Sequence, residues 1–339
     1  HNALISDSET EFASKVIALY TDKFLWQKIS TNCRQVIREQ FSVDTIRAAL
    51  EKVLQPSSTS RKTKGTLSRP VILHCHLFKN AGSTLDWSLH KQFGSTFVDH
   101  RDGDSMRLGA DFLGPYIESH AMLAAISSHD VRFPLPDSKN FELLPVIALR
   151  HPIDRARSVY DFERRQEANT PGAIKAKELS FADYIRWRML PDVGSTIRNF
   201  HCAFCTSNFD SEIGEQGYLD SVALLTRTPL MLIVERYDES MLLLEQQLQQ
   251  HFPAIDLSYV RQNATPDRED DLEQRIKNVF DQLGPELTVE FREKNHWDMK
   301  LYEDAQAIFV ERLGSLPRIK HLLHDFQSRC RFLSTELLE

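Results

Sequence analysis

Short apolar runs, each followed by a helical pattern, constrain the fold of this chain more than any other feature. Largely apolar runs of six or seven residues are typical of strands buried on both faces of a parallel sheet. Strands that alternate with helices place those helices against the sheet. The sequence therefore predicts an α/β fold, a P-loop-like parallel sheet flanked by helices. The runs are VILHCH (71–76), LLPVIAL (143–149) and LMLIVE (230–235), with helical spacing at roughly 83–93, 153–166 and 238–250.

Both ends of the chain have a helical pattern without such runs. Apolar residues recur at helical spacing across 4–54, and PSSTSRKTKGTLSRP (56–70) is polar, basic and rich in Ser, Thr and Pro, as linkers are. From residue 270 onward the pattern is again helical, in several pieces. We expect a helical N-terminal extension plus linker over 1–65 and an α/β domain over 66–339.

Composition excludes several classes of protein. The 339 residues carry a net charge of −7, which disfavours a nucleic-acid binder, and no apolar run reaches the ~18 residues that span a bilayer. Five scattered cysteines do not form a disulfide framework, which favours a reducing compartment such as the cytoplasm. The alternative is a Golgi-lumenal domain of a truncated membrane enzyme, since the chain begins without methionine and an upstream anchor or leader is compatible with that.

The turn after the first run, KNAGST (79–84), has the composition of a phosphate loop. Ala81 and Gly82 allow close backbone approach, Ser83 and Thr84 can cap the following helix, and Lys79 supplies a positive charge. The lysine precedes the glycine, which disfavours the G-x-x-x-x-G-K-[ST] loop of ATP and GTP binders. The alternative is an ordinary capped turn with Lys79 in solvent.

The second run ends in LRHPIDRARSVY (149–160), which predicts a second anion site. Arg150 follows the apolar run directly, and Ser158 lies on an early turn of the helix that Pro152 opens. A helix N-terminus that carries arginine and serine suits a dianion. The alternative is a solvated helix face, on which Arg155 and its neighbours pair with nearby carboxylates.

Together, H-x-x-K-N-A-G-S-T and R-x-P-x-x-R-x-x-S-x-Y resemble the 5′-phosphosulfate loop and the 3′-phosphate motif of the sulfotransferases. The most similar branch contains the carbohydrate 2-O- and chondroitin-type enzymes and their bacterial relatives. The resemblance covers roughly residues 70–314 and implies transfer of a sulfuryl group from 3′-phosphoadenosine 5′-phosphosulfate (PAPS) to an acceptor hydroxyl, with a carbohydrate as the expected acceptor. The reaction would leave adenosine 3′,5′-bisphosphate (PAP). It implies no metal.

The resemblance also suggests roles for individual residues. Lys79 would be catalytic and, with the Asn80–Thr84 turn, would hold the phosphosulfate, while Arg150 and Ser158 would hold the 3′-phosphate. His120 is the expected base, because it lies between the two motifs in the region where these enzymes carry theirs. The rivals for the base are Glu118, His100 and Asp99. Substrate contacts are expected from His76, Glu118 and Asn199.

Two other classes of function stay open from the sequence. A kinase-like phosphotransferase would use the same loops and needs a carboxylate for Mg²⁺, for which Glu235 is the candidate. A non-catalytic nucleotide-binding module is the third class. Arginines and aromatic residues across 155–198 predict either a groove for an acidic sugar chain or an amphipathic helix. The C-x-x-C of Cys202 and Cys205 predicts packing rather than a zinc site.

Overall fold

The structure is a computed structural model that describes residues 8–41, 68–228, 230–262 and 271–336, with side chains in 36–41 left aside. The chain divides into two compact units, residues 1–64 and 65–339. Within the first, α1 (Glu9–Thr21) and α2 (Lys23–Phe41) follow capping side chains: Ser8 accepts from the Glu11 N–H, and Asp22 accepts from the Phe24 N–H. The helix expected over 43–54 and most of the expected linker lie outside the described residues.

The second unit contains a five-stranded, all-parallel sheet, which confirms the predicted fold class. The strand order is β2-β3-β1-β4-β5, so β1 is central. The strands are β1 (Arg69–Cys75), β2 (Phe97–Asp99), β3 (Ala125–Ser128), β4 (Phe141–Leu149) and β5 (Leu230–Ile233).

Helices flank this sheet and form the C-terminal region, as predicted. They are α3 (Gly82–Phe93), α4 (Gly103–Met106), α5 (Ala110–Ser119), α6 (Pro152–Arg165), α7 (Pro171–Glu178), α8 (Phe181–Arg188), α9 (Phe200–Cys205), α10 (Glu215–Arg227), α11 (Tyr237–Leu248), α12 (Leu272–Lys294), α13 (His296–Gly314) and α14 (Ile319–Glu336). The one sharp kink among them lies in α12, where Gly284 has φ 74° before Pro285. None of the described helices combines the length and the hydropathy that a membrane span requires.

Side chains of β1 bury alternately on the two faces of the sheet. Val71, Leu73 and Cys75 enter one apolar cluster, and Ile72 enters the cluster on the opposite face. Each of these side chains is fully buried. This two-sided burial explains why the strand reads as a continuous apolar run in the sequence.

The strand order fixes where a ligand can bind. The chain leaves β1 toward β2 on one side of the sheet, and it leaves β4 toward β5 on the other side. Since β1 and β4 are neighbours, a crevice opens beyond their carboxyl ends, and ligands of parallel sheets bind in such crevices. Both motifs singled out in the sequence follow these two strands.

Candidate functional site

The turns after β1 and β4 lie against each other. Cys75 pairs with Ile147 in the parallel register, so the two strands end at the same level. Beyond them, Arg150 donates from Nη1 to the Lys79 carbonyl at 3.1 Å. The Asn80 amide donates to the Ala148 carbonyl at 2.6 Å. The structure thus brings Lys79 and Arg150 into direct contact.

The backbone of the first turn presents free N–H groups at a helix N-terminus. Lys79 and Ala81 both have left-handed backbone conformations, with φ 63° and 58°, and α3 begins at Gly82. The Asn80 N–H donates to Leu77, but within the described residues no acceptor is bonded to the N–H groups of Ala81, Gly82 and Ser83. Three such donors beside a helix dipole suit a phosphate or sulfate group.

Lys79 extends over an aromatic ring of the second motif. Its Nζ lies 4.5 Å from the ring centroid of Phe162 on α6, and Phe78 meets the same ring edge to face at 5.4 Å. The lysine is half-buried. A half-buried ammonium next to free N–H groups can neutralise charge on a departing phosphate oxygen.

Gly82 is required for the close approach of the turn to His76. A Cβ at residue 82 would lie 2.3 Å from Cδ2 and 2.4 Å from Nε2 of the His76 ring. His76 is only 7% exposed, and its Nδ1 lies 2.8 Å from Oδ2 of Asp86 on α3. The imidazole is therefore held against the N-terminus of α3.

Asp86 joins two histidines, and a third stacks on them. Its Oδ1 lies 2.6 Å from Nδ1 of His74, and the His76 ring stands 3.9 Å from that of His129. Burial raises the pKa of Asp86, but the neighbouring His74 and His76 side chains outweigh burial and hold that pKa well below its usual range. Burial lowers the pKa of His76, and burial together with His76 lowers the pKa of His129 to about 4.

These histidines include the one cluster among the described residues that could ligate a metal. One ligand atom from each of His74, His76 and Asp86 lies within 4.8 Å of the others. The 2.6 and 2.8 Å contacts to Asp86 have hydrogen-bond lengths, whereas zinc–ligand bonds are about 2.0–2.2 Å. The arrangement suits a hydrogen-bonded network that orients His76.

His129 is the functional candidate that the sequence reasoning missed. It directly follows β3, at the carboxyl edge of the sheet, and its Nδ1 lies 2.7 Å from the His76 carbonyl. Since a carbonyl only accepts, Nδ1 carries the proton, and in the neutral ring Nε2 is the basic atom. The signal was LAAI (123–126), a short apolar run that ends three residues before the histidine.

The structure places His120 and Glu118 at the opposite edge of the sheet from the turn that carries Lys79. His120 follows α5 at the amino edge of the sheet, where Arg69, the first residue of β1, donates to the carbonyls of Ile117 and Leu123. The length of the seven-residue β1, about 20 Å, lies between that edge and Lys79. Both residues therefore lie far from Lys79.

The rivals His100 and Asp99 end β2 at the carboxyl edge, two strands away from β1. Asp99 pairs with Arg101, and His100 packs on Phe112 and Tyr116. Both residues therefore lie at the same edge of the sheet as Lys79. His129 is closer to the turn because its ring contacts His76.

In the second motif, one buried carboxylate is shared by two arginines. Arg150 bonds Asp154 at 2.9 Å, and Arg275 bonds the same carboxylate at 2.9 Å, so one anion joins two arginines. Ser158 is half-buried one turn further along α6. Two arginines with one carboxylate leave an excess of positive charge at the N-terminal end of α6, which suits a 3′-phosphate.

Arg155 does not lie on a solvated face. It is 1% exposed, donates to the carbonyls of Phe78 and Thr196, and stacks over Phe200 at 4.1 Å. Burial lowers its pKa to about 9. Arg155 therefore supports the turn at residues 78–80.

Two predicted ligand-binding side chains have structural partners instead. The Asn80 side-chain amide contacts Ala148 and His201, and its backbone N–H donates to Leu77, so these donors are occupied within the protein. Asn199 accepts from the N–H groups of Trp297 and Asp298 and thereby caps α13. The expected substrate contact of Asn199 is replaced by this cap.

The carboxylate offered for magnesium is also occupied. Glu235 accepts from the His151 N–H at 2.8 Å and from the Tyr302 hydroxyl at 2.7 Å, one bond on each oxygen. Burial raises its pKa. Cys202 and Cys205 are buried in the core, where burial raises the pKa of both thiols, which agrees with a packing role.

Comparison with known proteins gives one similar chain. No protein-family model matches the sequence, and no solved structure matches it. An uncharacterized protein of Archaeoglobus fulgidus is 29% identical over 260 residues, which are 72% of this chain and 99% of that protein.

Proposed function

We propose that this protein is a sulfotransferase that moves a sulfuryl group from PAPS to an acceptor hydroxyl. One observation carries the proposal: two turns that carry basic side chains at helix N-termini lie side by side beyond neighbouring strands, joined by the bond from Arg150 to the Lys79 carbonyl. One turn offers free N–H groups and a lysine, and the other offers paired arginines. Such a pair suits a nucleotide that carries anionic groups at both its 5′ and 3′ positions.

In the proposed reaction, the bond between sulfur and the phosphate oxygen breaks while a bond from the acceptor oxygen to sulfur forms in line. Lys79 and the N–H groups of Ala81, Gly82 and Ser83 stabilise the charge on the leaving phosphate oxygen. His129 takes the acceptor proton at Nε2. An anionic donor bound nearby raises the pKa of His129 from about 4 toward neutrality, which makes it a better base.

Calorimetry with the two nucleotides PAP and AMP tests the donor site, in buffer that contains EDTA. Wild-type protein is expected to prefer PAP. The Arg150→Ala variant is expected to lose about tenfold or more of that preference, the value of a charged hydrogen bond. Because both nucleotides are measured on the same variant, a general structural defect would weaken both and leave the ratio unchanged. An unchanged ratio would remove Arg150 from the 3′-phosphate site.

Sulfur-labelled PAPS tests catalysis. Lys79→Ala is expected to lower turnover about 10²–10³-fold, as loss of a group that stabilises transition-state charge does. Lys277→Ala, at a lysine whose side chain is 65% exposed, is the matched control and is expected to retain turnover. Preference for magnesium-ATP would favour a phosphotransferase, and PAP binding without transfer to any acceptor would favour a non-catalytic module.

A further inference from the structure

A cavity adjoins the crevice on the side of Lys79. It has a volume of about 570 Å³, within the range of small-molecule sites. Phe78, Phe162 and Trp187 line it with aromatic surface. Since Lys79 Nζ lies over the Phe162 ring, a molecule in this cavity has its nearest end beside the expected sulfuryl group.

The polar part of the lining contains both donors and acceptors. Glu163 and Arg188 form a buried ion pair, each 6% exposed, and the Tyr184 hydroxyl donates to Glu163. Gly172 lies directly over this pair, because a Cβ there would come within 2.3 Å of both side chains. The amide of Gln166 also lines the cavity. Aromatic faces combined with a carboxylate, a guanidinium and an amide can bind a ring that carries several hydroxyl groups.

The charge of the lining argues against a polyanionic acceptor. The lining contains one cation, Arg188, and two anions, Glu163 and Asp192. Five of the basic residues expected to form a groove for an acidic sugar chain have partners of their own. The pairs are Arg157–Asp161, Lys175–Glu178, Arg186–Asp183, Arg164 with the Tyr160 hydroxyl, and Arg198 with the Val193 carbonyl. A chain of sulfates or carboxylates would find no excess of positive charge in this lining.

We propose that this cavity is the acceptor site and that it takes an uncharged saccharide of one or two rings, an inference that rests on the proposed sulfotransferase function. The sugar ring lies against the aromatic side chains. Its hydroxyl groups bond the Glu163–Arg188 pair, and one hydroxyl faces Lys79 and the donor.

The glycine at 194 allows the cavity to be filled without disturbing its lining. Gly194 lines the cavity, and a Cβ there meets no atom within 4 Å. Gly214, at the start of α10, is equally open and lies outside the lining, so Gly214→Trp is the matched control for Gly194→Trp. Circular dichroism and the calorimetric affinity for PAP establish that both variants are folded.

The assay measures transfer from labelled PAPS to lactose, to chondroitin sulfate and to 4-nitrophenol. Lactose is expected to be the best acceptor of wild-type protein, and Gly194→Trp is expected to lower kcat/KM for lactose about tenfold or more with PAP affinity within twofold. Gly214→Trp is expected to match wild type. Better turnover of chondroitin sulfate or 4-nitrophenol, or unchanged lactose kinetics in Gly194→Trp, would overturn the acceptor assignment alone. Absence of PAP binding to wild type would overturn the proposed function itself and, with it, this assignment.

Discussion

Replacement of Gly82 by alanine tests the contact on which the phosphate turn depends. The new Cβ would lie 2.3, 2.4 and 2.8 Å from three atoms of the His76 ring, whereas ordinary contacts begin at 3.4 Å. To relieve this clash, residue 82 or the His76 ring must move by about 1 Å. The ring has no room to move, since it stacks on His129 at 3.9 Å and on His74 at 4.9 Å and contacts Asp86. Overpacking of this kind costs about 1–3 kcal/mol in free energy of unfolding.

Urea unfolding of four variants separates this clash from the general effect of adding a methyl group. Gly82→Ala is expected to lower the free energy of unfolding by about 1–3 kcal/mol. Gly314→Ala, at the last residue of α13 where a Cβ meets nothing, is expected to raise it by about 0.5–1 kcal/mol. In a His76→Ala background the cost of Gly82→Ala should fall, which gives a coupling energy of about 0.5–3 kcal/mol.

Two results would refute the reasoning about Gly82. The first is a Gly82→Ala variant as stable as wild type. The second is an equal cost of Gly82→Ala with and without the His76 ring. A variant that is destabilised as expected should also bind PAP more weakly, because displacement of residue 82 moves the N–H groups of the turn.

Three further predictions concern the base, acid stability and metals. His129→Ala is expected to lower kcat about 10²-fold or more with PAP affinity retained, and His120→Ala is expected to leave both unchanged; the opposite pattern would restore His120. Burial lowers the pKa of His129 and His151 to about 4, below the unfolded value of ~6.5. The unfolded chain therefore binds more protons than the folded chain between these two pKa values. The free energy of unfolding should be highest above about pH 6.5 and should fall toward pH 4, by on the order of 3 kcal/mol for each histidine. Urea midpoints measured from pH 7.5 to 4.5 would contradict this if they stayed constant. Dialysis against EDTA is expected to leave turnover unchanged, and activity restored only by added Zn²⁺ would instead assign a metal to His74, His76 and Asp86.

The sequence predicted the sheet and the position of both turns because these features are local. A strand buried on both faces needs apolar residues at every position, so VILHCH and LLPVIAL indicate their own structure. The adjacency of β1 and β4 in the sheet is not a local feature, since 65 residues lie between Cys75 and Phe141. It was anticipated only because the two motifs resemble a known pair.

Two short strands explain why the sequence does not locate two candidate histidines relative to the sheet. β2 has three residues and β3 has four, too few for a periodic pattern to be detected. If β3 is not recognised in the sequence, nothing indicates how the segment 119–129 runs relative to the sheet. Its two histidines, His120 and His129, then cannot be assigned to one edge or the other. The structure shows that β3 runs between them, so His120 lies at the amino edge and His129 at the carboxyl edge. Four residues thus decide which histidine can reach Lys79.

The different roles of Arg150 and Arg155 in the second motif also depend on long-range contacts that the sequence does not indicate. Arg150 and Arg155 look alike in the sequence, but the turn at 78–80 uses them differently: Arg150 bonds the carbonyl of Lys79 and Arg155 that of Phe78. Asn80 adds a third bond, to Ala148. Left-handed conformations at two non-glycine residues cost about 1–2 kcal/mol each. Three non-local bonds offset that cost, which explains how Lys79 is held in a strained turn with its ammonium directed into the crevice.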